Sequence, residues 1–94
     1  MNRTIFKQSL AADAPPAGLS LAAAALWWDA KGKWDRAHEC AQEQEDKVGA
    51  WVHAYLHRKE GDLSNADYWY AQAGRSRPNA TLDEEWAEIV MAIV

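Results

Sequence analysis

A single cysteine, Cys40, is all the thiol chemistry this sequence offers, and one thiol closes no disulfide within the chain. The expectation is a reducing compartment, the cytoplasm. Glu39 flanks Cys40, and acidic neighbours raise a thiol pKa, so a nucleophilic cysteine is not expected. Basic charge is scarce as well. Ten Lys and Arg stand against 14 Asp and Glu, a net charge of −4, so the surplus that neutralises phosphates is missing and nucleic acid is not an expected partner. Long hydrophobic runs are absent. The longest, Leu21 to Trp28, falls far short of the roughly 20 residues a membrane-spanning helix requires, so no membrane partner is expected. Near the start, Arg3 and Lys7 are followed by Gln8, Ser9 and Asp13 with no apolar stretch, so no export signal is expected. Runs of alternating apolar and polar residues are missing too, and the turn signals fall at helix spacing, which predicts an all-α fold.

What the chain does have is tryptophan, alanine and helix punctuation. Six Trp help 94 residues build one efficient core, since each aromatic buries about 150–250 Å². Residues 1–17 read as an N-terminal arm in which Ile5, Phe6 and Leu10 make a short helical face, ended by Pro15-Pro16. A helix over 20–31 has Ser20 as N-cap and places Leu21, Ala24, Ala25 and Trp28 on one face; Gly32 ends it. A second, over 34–45, puts Trp34, Ala37, His38 and Ala41 on one side. A third, over 47–60, has Asp46 as cap, with Ala50, His53, Ala54 and His57 in one stripe and Trp51, Tyr55 and Arg58 in the next. Gly49 weakens its first turn and allows a later start. A fourth, over 63–73, is capped by Asp62 or Ser64 and ended by Gly74, with Leu63, Ala66, Tyr70 and Ala73 on one face and Tyr68 and Trp69 pointing elsewhere. Thr81-Leu-Asp-Glu84 is a capping-box pattern opening a helix over 82–93 with the stripe Trp86, Ile89, Val90 and Ile93. Asp83, Glu84, Glu85 and Glu88 read as its solvated side and first turn.

Two helix–turn–helix units overlay at their turns. Gly32-Lys-Trp-Asp-Arg-Ala37 matches Gly61-Asp-Leu-Ser-Asn-Ala66, each with Gly, then an apolar residue two places on and Ala five places on. In the second unit Gly61, Ala66, Tyr70, Ala73 and Pro78 follow the small-and-aromatic spacing of the tetratricopeptide repeat, which the chain resembles over about residues 18–79. The implied architecture is two antiparallel helix hairpins, about 18–45 and 46–79, closed by a capping helix. The stretch Trp51 to Asp62 with Asn65-Ala66 and Tyr68-Trp-Tyr70 also resembles a family of small bacterial proteins of unassigned activity, which implies no chemistry.

The tetratricopeptide resemblance implies a non-catalytic interaction module. Its groove would present Trp51, Tyr55, Arg58 and Lys59, joined by Tyr68 and Trp69, to another protein or peptide. Two repeats are few for such an array, so a homodimer through the apolar end, Ile89 to Val94, is a further expectation. The alternative is a small-ligand or metal site, with or without catalysis, using His53, His57, Arg58 and Glu60. His53 and His57 stand one turn apart, a spacing that chelates a transition metal, with Glu60, His38 or Cys40 the available further ligands. The simpler reading is two hydrogen-bonded core histidines, and no cofactor is expected. Asn65, Tyr68 and Trp69 gather after the Gly61 turn and read first as local structure. Arg58, Lys59, Arg75 and Arg77, the one basic concentration, read first as solvated surface.

Overall fold

A computed structural model describes all 94 residues. The fold is all-α, with helices α1 (Arg3–Ser9), α2 (Leu21–Ala30), α3 (Trp34–Glu43), α4 (Lys47–Glu60), α5 (Leu63–Gln72) and α6 (Leu82–Ile93). α2 and α3 form one antiparallel hairpin and α4 and α5 the other; α3 lies on α4, and α6 packs across α2 and α4. No helix is long and apolar enough to cross a membrane.

The helix starts follow the capping chemistry. Ser20, Asp46, Asp62 and Thr81 each accept a backbone N–H of the helix they open, and Thr81 and Glu84 complete a reciprocal capping box. α3 stops at Glu43, two residues short of the expected end, because Gln44 is used differently. Its amide oxygen accepts from the Ala22 N–H at 2.7 Å and its amide nitrogen donates to Asp46. Gly49 does not delay α4. A Cβ there would lie 1.8 Å from the Gln44 carbonyl oxygen, so a glycine is what lets α3 turn this tightly into α4.

Nine of the 19 residues in the buried apolar cluster are alanine, so the helices approach closely and the large rings fill what remains. Three tryptophans tie elements together by their N–H groups: Trp34 donates to the Leu56 carbonyl at 2.9 Å, Trp86 to the Leu26 carbonyl at 3.1 Å and Trp27 to the Ser9 hydroxyl at 3.1 Å.

Four expectations are corrected by packing. In α2 the buried set is Ala22, Ala23, Ala25, Leu26, Trp27 and Asp29, while Leu21 is exposed; α3, α4 and α6 all lie on α2, so its buried arc is wide and rotated from the simple stripe. Leu63, in the first turn of α5, is exposed, although Ala66, Tyr70 and Ala73 of the same face are buried. In α1 only Phe6 is buried, and Ile5 faces solvent. Glu85 is not on a solvated side. It is 1% exposed and accepts the Tyr70 hydroxyl at 2.6 Å and an Arg58 Nη1–H at 2.8 Å. A carboxylate buried this deeply persists because both its charge and its lone pairs are answered.

Candidate metal centre

α4 is the axis of the molecule, and seven consecutive residues, Trp51 to His57, are buried. A helix covered on all sides must hand its polar side chains to partners on several neighbours. On the side shared with α2 and α6 it does so completely. The Tyr55 hydroxyl donates to Asp29 at 3.0 Å, and Lys59 meets the other Asp29 oxygen at 2.8 Å. Arg58 bridges Glu85 and the Ala80 carbonyl, and the Arg75 guanidinium lies 3.4 Å over the Trp51 ring. Burial and the adjoining carboxylates push the Tyr55 and Tyr70 phenols well above the ordinary tyrosine range, which keeps them neutral donors.

The side facing α3 and α5 is different. α3 brings His38 beside His53 and His57, and one ring nitrogen from each of the three lies within 4.8 Å of the others. The centroids form a tight triangle: His38–His53 4.6 Å, His53–His57 4.8 Å and His38–His57 5.1 Å. Two tryptophans bracket it. Trp34 stacks on His38 at 5.0 Å and Trp69 on His53 at 4.0 Å. His53 and His57 are buried, 4% and 6% exposed, and His38 is half-buried.

Of the three rings only His57 has hydrogen-bond partners. Its Nδ1 lies 2.6 Å from Glu60 Oε2, and its Nε2 lies 3.4 Å from the Asn65 amide nitrogen. An ionised carboxylate accepts, so Glu60 holds the proton on Nδ1, and the Nε2 lone pair accepts a long hydrogen bond from the Asn65 amide. No fully buried side-chain nitrogen or oxygen in the protein lacks a partner. His53, which has none, therefore keeps solvent contact at its nitrogens through the cavity that it lines with Trp69, Gln42, Glu45, Asp46 and Gln72.

Three basic rings this close cannot all carry a proton. Burial first, then the neighbouring His38 and His57, lower the pKa of His53 to about 4. Burial and His57 also lower that of His38. At neutral pH His38 and His53 thus present uncharged imidazoles with free lone pairs, the form in which imidazole ligates a metal. Tetrahedral coordination at about 2.0–2.1 Å sets nitrogens about 3.3 Å apart, so side-chain rotations of about an ångström close the triangle on an ion. The pairing of Glu60 with His57 fixes the orientation of that ring, the role an outer-shell carboxylate plays where an imidazole ligates a metal.

No family model, curated protein or solved structure matches this sequence significantly.

The anticipated groove residues do not share one surface. Trp51 and Tyr55 are buried, Arg58 and Lys59 are spent on Glu85 and Asp29, and Trp69 is half-buried against His53; Tyr68, at 56%, and Lys59 are the exposed members. Cys40 lies two residues from His38, on another face of α3, and stays outside the triangle; burial and Glu43 raise its thiol pKa. The basic residues do not converge either, because Arg77 pairs with Asp67 at 3.2 Å and Arg75 covers Trp51. Sequence reading had no means of finding Asp29 or Glu85 as buried anchors. It named His38 as one available ligand among several, and the α3–α4 packing brings that ring into the triangle.

Proposed function

We propose that this chain is a small helical module that binds one divalent transition metal through His38, His53 and His57, with Glu60 orienting His57. The observation that carries the reading is the triangle of ring nitrogens within 4.8 Å, two of its rings without a hydrogen-bond partner of their own. Neutral imidazoles suit Zn²⁺, Co²⁺, Ni²⁺ or Cu²⁺ and disfavour Mg²⁺ and Ca²⁺, which take oxygen ligands. Glu60 is engaged with His57, which supports binding in place of acid–base catalysis. The test is titration of untagged, chelator-treated protein with Zn²⁺ and Co²⁺. One equivalent per chain is expected, with simultaneous shifts of all three His ring signals in NMR spectra. Absence of stoichiometric uptake, or uptake that survives replacement of His38 and His53 by alanine, overturns the reading.

The interaction-module reading keeps one specific support. Tyr55 and Lys59 do line a hollow of about 450 Å³, together with Lys7, Leu10, Asp83 and Trp86. In a tetratricopeptide-like module of this kind a partner peptide would sit there. Chemical-shift changes at Tyr55 and Trp86 on adding such a peptide, with the His rings unmoved, are the result that favours it.

A further inference from the structure

The triangle supplies three nitrogen donors, and a tetrahedral ion needs four. The remaining candidates within the protein are committed. Glu60 faces the Nδ1 side of His57, Asp62 beside it caps α5 by accepting the Asn65 N–H, the Asn65 amide donates to His57 Nε2, and Cys40 is on another face of α3. Of the three rings only His53 lines the cavity of about 430 Å³ between α3, α4 and α5, so a fourth ligand entering from there approaches an ion past that ring. Its chemistry is one-sided. Glu45 and Asp46 stand in the wall with no lysine or arginine among the lining residues. Asp46 is kept ionised by the Gly49 N–H and the Gln44 amide, both of which donate to it. Trp69 adds an aromatic surface, and the amides of Gln42 and Gln72 add neutral hydrogen-bonding groups.

Resting on the metal reading above, we propose that the bound ion has one exchangeable position opening into this cavity, and that it takes a neutral nitrogen heterocycle of the imidazole class in preference to an anion. A metal with three neutral imidazoles attracts anions by its own charge, so the selection must come from the wall. Glu45 and Asp46, both exposed in that wall, repel an incoming anion, an effect strongest at low ionic strength. A neutral ring avoids that repulsion, lies against Trp69, and donates its N–H to a glutamine carbonyl or to Glu45.

The experiment uses full-length protein loaded with Co²⁺, whose visible absorption reports its coordination. Imidazole and azide are titrated separately, with bound Co²⁺ checked by dialysis. The expected result is a saturable spectral change with imidazole and at least about tenfold weaker binding of azide, about 1.4 kcal/mol. Glu45→Gln should narrow the ratio by raising azide affinity and leave imidazole affinity within about threefold. Azide binding as tightly as imidazole, no spectral response to either, or imidazole stripping Co²⁺ from the protein each overturns the proposal. Failure to acquire a Co²⁺ spectrum at all is a separate result, and it overturns the metal reading itself.

Discussion

The two sides of α4 solve the same problem in opposite ways. Toward α2 and α6, each buried polar group meets a complementary one: Tyr55 and Lys59 converge on Asp29, and Tyr70 and Arg58 converge on Glu85. Toward α3 and α5, groups of the same kind are gathered, three imidazoles with one carboxylate among them. The first arrangement is complete as it stands. The second leaves two of its three rings, His38 and His53, with no hydrogen-bond partner within the protein. Pairing of unlike groups is what a fold needs for its own stability; convergence of like donors is what a site needs.

The most forceful way to break this contrast is at Glu85. Glu85→Ala leaves Arg58 with an uncompensated buried charge and Tyr70 without its acceptor, and should cost about 3–5 kcal/mol in urea unfolding. Metal affinity of the folded fraction should stay within about threefold, because the two networks share no side chain. His53→Leu should do the reverse. The metal-free protein should gain up to about 1 kcal/mol as a poorly partnered polar ring leaves the core. Zn²⁺ affinity should fall by at least about 100-fold, the upper range for loss of an outer-shell partner. A destabilised His53→Leu protein with unchanged Zn²⁺ affinity would make the triangle structural. Next in size, Glu60→Gln keeps an acceptor near His57 but removes the charge, and should weaken Zn²⁺ binding about 10-fold to 100-fold with little change in fold stability.

Acid should separate the sides as well. The unfolded chain binds a proton at His53 near pH 6.5, whereas the folded chain does so only near 4. Between those values the unfolded state carries more protons, so stability rises with pH through the window and is lost as pH falls. His38 is lowered in the same direction and adds to the slope. The loss from pH 7 to pH 4 should be about 2 kcal/mol for the metal-free protein, less than the full shift implies because solvent reaches His53. His53→Leu should flatten the curve. The smallest effect is expected at Arg75. Arg75→Gln removes the cation over Trp51 and should cost about 0.5–1 kcal/mol, with no change in metal binding.

Much of the scaffold was legible because helix punctuation is local chemistry. Ser20, Asp46, Asp62 and Thr81 cap the helices that the residue pattern assigns to them, and Gly61 takes the left-handed turn, φ 91°, that ends α4. The stripe Ala50, His53, Ala54 and His57 is buried as one face. Long-range pairings were not legible. Glu85 carries the same local signal as Asp83 and Glu84, acidic residues in a first turn, and only the arrival of Tyr70 and Arg58 distinguishes it. Asp29 likewise sits in a helix with nothing nearby to mark it as the anchor of Tyr55 and Lys59, 26 and 30 residues away.

The site divides along the same line. By itself the sequence determined that His53 and His57 share a helix face and that Glu60 lies one turn beyond, since helical spacing needs no other element. The tertiary structure decided the rest. The Gly49 turn folds α3 against α4 and carries His38 to within 4.6 Å of His53, and α5 sets Trp69 against His53. Ligand count, burial and access depend on how three helices pack, and packing is settled by shape and by the sum of many contacts that no local pattern records.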